Sequence, residues 1–190
     1  MPEALLVSTL VVAVGELGDK TQLLTLVLAA RFRKPWPIIA GILVATVANH
    51  TIAAWVGHWV RDAVPPEILR WALALSFFIV AAWALKPDQF DASEAPPASN
   101  RSVFAVTTVA FFLAEIGDKT QIATAILAVQ FSSLVAVVAG TTLGMLLVDA
   151  PTAFIGDAAA KKIPFRAVRI VAAALFAGLG LWVLVAPTAG

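Results

Sequence analysis

Two copies of one acidic motif, each inside a long apolar stretch, constrain this chain more than any other feature. The first copy begins at Glu16 and reads ELGDKTQLLT, and the second begins at Glu115 and reads EIGDKTQIAT. Charged side chains within lipid-spanning segments are costly, so they are usually functional and usually face the protein interior or a water-filled path. Two copies of a costly motif therefore predict one site built from two halves.

The composition of the rest of the chain predicts a membrane protein. Of its 190 residues, 61% are hydrophobic and 13% are charged, which is unusual for a soluble domain. This length accommodates about six spans of roughly 20 residues each, with short connections. We therefore predict an all-α integral membrane protein with six transmembrane helices, whose first apolar run is a retained span rather than a cleaved signal.

An internal duplication extends well beyond the motif. Adding 99 to a residue number maps Glu16 onto Glu115 and continues without a gap to the pair Trp83 and Trp182. Such self-similarity predicts a three-helix repeat over residues 1–86, a linker over 87–102 and a second three-helix repeat over 103–190. Because each repeat holds three spans, the two repeats must enter the membrane in opposite directions, as in many secondary transporters.

The apolar runs also predict where the helices lie and how they are oriented. We expect unbroken helices from about Ala4 to Ala30 and from about Val103 to Val129, each with one motif near its middle. The other helices are expected at about 38–60, 68–85, 134–155 and 166–185. Outside the motifs, nine of the Lys and Arg residues fall on the linker side and two on the other. This bias predicts a cytoplasmic linker and two termini outside.

The motif carries side chains that suit hard cations. On an unbroken helix, residues spaced by three form one stripe, which here consists of Glu16, Asp19, Gln22 and Thr25 in the first copy and Glu115, Asp118, Gln121 and Thr124 in the second. Carboxylate, amide and hydroxyl oxygens favour Ca²⁺, Mn²⁺ or Mg²⁺. Neither copy contains histidine or cysteine, which argues against a dedicated zinc or copper site.

Lysine, threonine and glycine complete each motif. Lys20 and Lys119 follow the glutamates by four positions, the favourable order for an ion pair within a helix, and we expect them to hold the carboxylates until a metal enters. Thr21 and Thr120 are further supporting side chains. The glycines of the motifs predict a close approach of the first and fourth helices there.

The charges of the two motifs predict exchange of metal for protons. Their four carboxylates carry −4 when ionised and their two lysines carry +2, so that one divalent cation cancels the remainder. Uncompensated charge near the bilayer midplane is costly. Proton uptake should therefore replace the metal when it leaves, at about two protons for each divalent cation by this count.

A second group of polar residues lies outside the motifs. Asp149 falls within the predicted fifth helix, the offset of 99 pairs it with His50, and Asn49 lies alongside. These residues either line the pathway and carry protons, or they are polar residues with local hydrogen bonds. His58 and Asp157 lie near predicted helix ends and are expected to be interfacial.

The paired E-x-G-D-K/R-T/S motifs, on the first and fourth of six spans, resemble those of the Gdt-type family of membrane proteins. Both motifs match in full, and the similarity covers nearly the whole chain. The resemblance implies transport of Mn²⁺ and/or Ca²⁺ in exchange for protons, and the small bacterial members imply manganese export across a bacterial plasma membrane. It also implies that Glu16, Asp19, Glu115 and Asp118 bind the metal.

The composition also excludes or disfavours other functions. The chain has no cysteine and a net charge of +1 without a basic cluster, so thiol chemistry is excluded and no nucleic-acid partner is expected. We expect no cofactor, and a homo-oligomer remains open. Three alternatives to a cation antiporter also remain open: purely structural Glu–Lys pairs, an intramembrane metal-dependent lipid-phosphate hydrolase, and an exporter of a small organic solute. The hydrolase is disfavoured because no arginine lies within a span core to bind phosphate.

Overall fold

A computed structural model describes residues 1–87, 102–155 and 165–185. Residues 88–101 of the predicted linker, Asp157 and the residues after Val185 lie outside this described part. The described part consists of eight helices: α1 (Pro2–Glu16), α2 (Lys20–Phe32), α3 (Pro35–Ala63), α4 (Pro66–Ala84), α5 (Val103–Glu115), α6 (Lys119–Gln130), α7 (Leu134–Ile155) and α8 (Phe165–Val185). We refer to α1–α4 as the first half and to α5–α8 as the second half.

Four of these helices, α3, α4, α7 and α8, are long and apolar enough to cross a membrane. The helix α5 is a shorter apolar helix. Prolines stand in the first turns of α3 and α4, where the missing N–H costs no hydrogen bond and the fixed φ favours helix initiation. Large apolar side chains such as Trp55, Leu75 and Leu147 are exposed, which suits a surface surrounded by lipid.

The predicted unbroken helices around the two motifs are wrong, because each is divided at the motif. The first break comprises residues 17–19 and separates α1 from α2, and the second comprises residues 116–118 and separates α5 from α6. Gly18 has φ 79° and Gly117 has φ 74°, values that glycine adopts without the steric cost paid by other residues. Asp19 and Asp118 then have extended backbones and occupy the N-cap positions of α2 and α6, which aspartate favours.

At Gly117, the expected close approach of another helix is not found. Among the described residues, no atom beyond the neighbouring residues in the chain lies within 4 Å of the position that a Cβ on Gly117 would occupy. The residue is therefore required for its backbone conformation rather than for the space that it leaves.

The two halves of the chain interlock through their long helices. The helix α1 packs along α7, and α5 packs along α3. Glycines allow both contacts, since a Cβ on Gly140 would lie 2.5 Å from the carbonyl oxygen of Leu5, and one on Gly41 would lie 2.9 Å from that of Phe104. These two pairs are related by the offset of 99. Each broken segment thus lies against the long helix of the opposite half.

Candidate functional site

The two breaks place the four motif carboxylates inside the protein. Glu16 and Glu115 are the last residues of α1 and α5, whereas Asp19 and Asp118 precede the first turns of α2 and α6. None of the four side chains is more than 1% exposed. The acids therefore meet at helix ends rather than along one helical stripe. At the beginnings of α2 and α6, free backbone N–H groups and the helix dipole favour the aspartates.

Ion pairs join the two motif copies to each other. The Nζ atom of Lys119 lies 2.6 Å from Oδ1 of Asp19, and that of Lys20 lies 3.7 Å from Oδ1 of Asp118. Lys20 thus pairs with the opposite motif, and the predicted pair with Glu16 within one helix is wrong. The reason is the first break, which removes Lys20 from the helix that carries Glu16. The structure brings the two copies into one buried cluster.

In the second half, the carboxylate of Glu115 is bound from α3. Thr46 donates its hydroxyl hydrogen to Oε1 of Glu115 over 2.7 Å, and the Asn49 amide donates to Oε2 over 3.0 Å. The same amide donates to the carbonyl oxygen of Phe112 over 3.0 Å, and Gln121 donates to the Asn49 side-chain oxygen over 3.3 Å. Both oxygens of Glu115 are therefore held by the first half of the chain.

In the first half, Glu16 accepts a hydrogen bond from the hydroxyl of Thr21, in the same motif copy. Thr25 donates its hydroxyl hydrogen to Oδ1 of Asp149 on α7 over 2.7 Å. Asp149 is fully buried, so it adds a fifth carboxylate to the interior near the two breaks. This contact joins the first motif to Asp149, one of the polar residues that lie outside the motifs.

Each motif glutamine forms a hydrogen bond with the backbone of its own break. Gln22 accepts from the backbone N–H of Gly18, and Gln121 accepts from that of Gly117, each over 2.7 Å. Gln22 also donates to the hydroxyl of Thr152 on α7 over 3.3 Å. The amide oxygens expected to face a cation are thus engaged with the backbone, and each glutamine ties its break to the long helix of the opposite half.

The remaining predicted side chains lie in the same region with fewer contacts. Thr124 donates to the Thr120 carbonyl oxygen over 2.8 Å, while the buried Thr120 hydroxyl has no hydrogen-bond partner among the described residues. His50 is fully buried, and neither ring nitrogen has a hydrogen-bond partner in the described part of the chain. His58 is half-buried near the end of α3, and its Nε2 atom lies 3.7 Å from Oδ2 of Asp62.

Two residues of the site, Thr46 and Thr152, were missed by the sequence reasoning. Thr46 precedes Asn49 by three residues on α3, and Thr152 follows Asp149 by three residues on α7. Residues spaced by three lie on the same face of a helix, so the polar residues already singled out could have identified both. Within the described residues, no three side chains of His, Cys, Asp or Glu form a group that could hold a metal ion. The acids are instead arranged with lysine, threonine and amide partners.

Buried acids paired with lysines at two helix breaks, in an all-helical membrane chain, define a secondary ion transporter, since discontinuous helices build the ion sites of such proteins. The chain belongs to the family described as divalent cation/proton antiporter GDT1, whose model matches residues 4–92 and 103–190. The two matched segments correspond to the two halves of the fold. Membership in this family makes the chain a transporter of divalent cations and protons, not an enzyme, so the hydrolase alternative is dismissed.

Two relatives support this assignment. The chain is 51% identical over 173 residues to a protein of Vibrio cholerae serotype O1 named "Putative manganese exporter", covering 90% of this chain and 86% of the relative. It is 26% identical over 191 residues to a GDT1-like protein of Synechocystis, covering 88% and 89% of the two chains. No solved structure matches the chain.

Proposed function

We propose that this antiporter exchanges Mn²⁺ and/or Ca²⁺ for protons and exports the metal from the cytoplasm. The single observation that carries the proposal is the pairing of each motif aspartate with the lysine of the opposite motif. Oxygen ligands suit both cations, and the name of the 51% identical relative favours manganese. Glu16, Asp19, Glu115 and Asp118 are the proposed metal-binding residues.

The lysines are proposed to alternate with the metal as counter-charges. With no metal bound, the ammonium groups of Lys20 and Lys119 neutralise Asp118 and Asp19 across the two halves. An arriving divalent cation takes over the aspartates, and the lysines move aside. Such an exchange keeps charge compensated in a region of low dielectric, where an unpaired charge is expensive.

The fifth buried carboxylate leaves the proposed ion count unchanged. With Asp149 included, the buried acids carry −5 and the two lysines +2 when all are ionised. A bound divalent cation leaves one negative charge, which one proton neutralises, whereas release of the metal requires three. The exchange is then about two protons for each metal ion, because uncompensated charge in the bilayer core is strongly disfavoured. Asp149, held by Thr25, is the proposed carrier of one of these protons.

For the topology, we propose six spans arranged as two inverted three-helix repeats. The pairs α1–α2 and α5–α6 would each form one broken span, and the four long helices would form the other spans. The linker is proposed to be cytoplasmic and the termini outside, in a bacterial plasma membrane.

The chain lacks cysteine, so single cysteines at Ser93 and Thr188, both outside the described residues, test this orientation directly. The first should react only with reagents that enter the cytoplasm, and the second from outside; the reverse pattern contradicts the orientation.

The proposed substrate is tested by reconstituting the protein into liposomes that contain a metal-quenched dye. We expect Mn²⁺ added outside to quench this dye, and Ca²⁺ added outside to change the signal of a Ca²⁺-responsive dye in its place, only when the protein is present. An amino-acid mixture added in its place should leave the signal unchanged and should not compete with the metal. Failure of both metals to enter, with the protein correctly inserted, would contradict the proposal and favour an organic solute.

A further inference from the structure

The two motif glutamates have the same sequence surroundings but different hydrogen-bond partners. Both carboxylate oxygens of Glu115 accept hydrogen bonds from α3, through Thr46 and Asn49. Glu16 accepts at Oε1 from Thr21 of its own motif, and its Oε2 has no hydrogen-bond partner among the described residues. Glu115 is therefore hydrogen-bonded to the opposite half, whereas Glu16 is hydrogen-bonded only to its own motif.

A closed circuit of hydrogen bonds surrounds the second break. The Gly117 N–H donates to Gln121, Gln121 donates to Asn49, and Asn49 donates to both Glu115 and the Phe112 carbonyl oxygen. The Asn49 amide is thereby oriented with its NH₂ group toward the carboxylate. Each of these bonds supports the next, so the position of Glu115 is fixed from both sides of the break.

The corresponding series of hydrogen bonds at the first break does not include the glutamate. Gly18 donates to Gln22, Gln22 donates to Thr152, and Thr152 donates to the carbonyl oxygen of Val148 within its own helix. Glu16 takes no part in this series of hydrogen bonds. The glutamine braces the first break against α7 but leaves the carboxylate of Glu16 outside the network.

The glutamates differ in their hydrogen bonds because the long helices α3 and α7 differ in sequence, not because the motifs do. The offset of 99 pairs Thr46 with Met145 and Asn49 with Val148. Met145 is fully buried and Val148 nearly so, and neither side chain has a polar hydrogen to donate. The helix α7 therefore lacks the two donors with which α3 holds Glu115, so a change of conformation alone cannot give Glu16 the same restraint.

We propose that the two half-sites have unequal roles, with Glu115 as a fixed ligand and Glu16 as the ligand that moves when the cation binds and leaves. Thr46 and Asn49 are positioning residues that hold the fixed ligand. This inference rests on the proposed metal/proton exchange. Residues that orient ligands from outside the coordination shell typically change metal affinity or activity by about 10 to 100-fold when they are lost.

The inference is tested by measuring KM and kcat for Mn²⁺ in liposomes. Thr46→Val and Asn49→Leu remove donors at nearly constant volume, and each should raise KM by about 10-fold or more while kcat falls less. Thr46→Ser keeps the hydroxyl and should restore the wild-type KM. The matched control is Thr51→Val, on the exposed face of the same helix, which should change neither constant.

A double variant of α7, which we call the mirror variant, supplies the second half of the test. Met145→Thr combined with Val148→Asn gives α7 the two donors of α3. If Glu16 must move in each cycle, this variant should lower kcat by about 10-fold without raising KM. It also provides an answer if Thr46→Val fails to insert.

Two outcomes would overturn unequal roles: Thr46→Val with the same constants as Thr51→Val, or a mirror variant with unchanged kcat. A wild-type protein that carries no metal would instead contradict the proposed function itself. The two failures are thus distinguished by the same set of liposomes.

Discussion

The two helix breaks have the same backbone but different surroundings. Gly18 and Gly117 have φ angles of 79° and 74°, and each N–H is accepted by the glutamine four residues later at 2.7 Å. The side chains around the breaks differ, because α3 presents hydroxyl and amide donors where α7 presents Met145 and Val148. The comparison teaches that the duplicated motif encodes the shape of the breaks, whereas the long helices facing them encode how each acid is held.

The two lysines differ in a parallel way. The side chain of Lys119 is 6% exposed and lies 2.6 Å from Asp19, whereas that of Lys20 is 30% exposed and lies 3.7 Å from Asp118. The pair formed by Lys119 is therefore the better shielded of the two. The following predictions test where the halves are equivalent and where they are not.

The largest effect is expected from neutralising any motif acid. Glu16→Gln, Asp19→Asn, Glu115→Gln and Asp118→Asn should each reduce metal transport by about 100-fold or more, since loss of supporting residues alone costs about 10 to 100-fold. Initial rates of dye quenching, normalised to inserted protein, provide the measurement. Retention of most activity by a variant in one half only would show that this half is not needed for the site.

Replacing each motif lysine should lower the free energy of unfolding by a different amount. Lys119→Gln leaves a buried aspartate without this cation, and breaking a buried pair in this way costs about 3–5 kcal/mol. Lys20→Gln breaks a longer pair whose lysine is more exposed, but it also leaves the buried Asp118 without this cation, so it should cost less, about 1–3 kcal/mol. Unfolding in a denaturing detergent series measures both variants, and the comparison fails if Lys20→Gln is the more damaging.

The break glycines should show that the two backbones are equivalent. Alanine at Gly18 or Gly117 must adopt a left-handed conformation, at a cost of roughly 1–2 kcal/mol in each half. Gly117→Asn should be milder than Gly117→Ala, because asparagine tolerates this region better. As a steric contrast, a Cβ on Gly57 would overlap with the Ala125 carbonyl oxygen. Gly57→Ala should therefore destabilise through overpacking, and equal costs for Gly117→Ala and Gly117→Val would contradict a conformational role.

The smallest effect is expected at Thr124, which is best compared with Thr25, its counterpart in the first motif. Thr25→Val removes the donor to the buried carboxylate of Asp149 and should cost about 1–3 kcal/mol. Thr124→Val removes only a bond to the backbone of its own helix and should cost about 1 kcal/mol or less. Thermal unfolding of the two variants side by side measures the difference, and equal losses would remove Asp149 from the network described above.

Much of this organisation could be predicted from the sequence. The duplicated acids, their burial in one cluster and the membrane class followed from an expensive motif that occurs twice. The breaks could not be predicted, because apolar residues continue on both sides of Gly18 and Gly117, and glycine within a helix costs only about 1 kcal/mol. The pairing of Lys20 with Asp118 depends on the first break and was missed for the same reason. Thr46 was missed because a threonine in an apolar helix carries no signal until its neighbour one turn away is considered.

The central claim is that both halves form one site in which metal and protons compete. In liposomes loaded with equal Mn²⁺ inside and outside, we expect an imposed pH gradient to drive Mn²⁺ toward the acidic side, against the metal gradient that then develops. Asp19→Asn and Asp118→Asn should each abolish this movement, because loss of either half destroys the shared site. The account is contradicted if Mn²⁺ movement ignores the pH gradient, or if either aspartate variant retains full pH-driven transport.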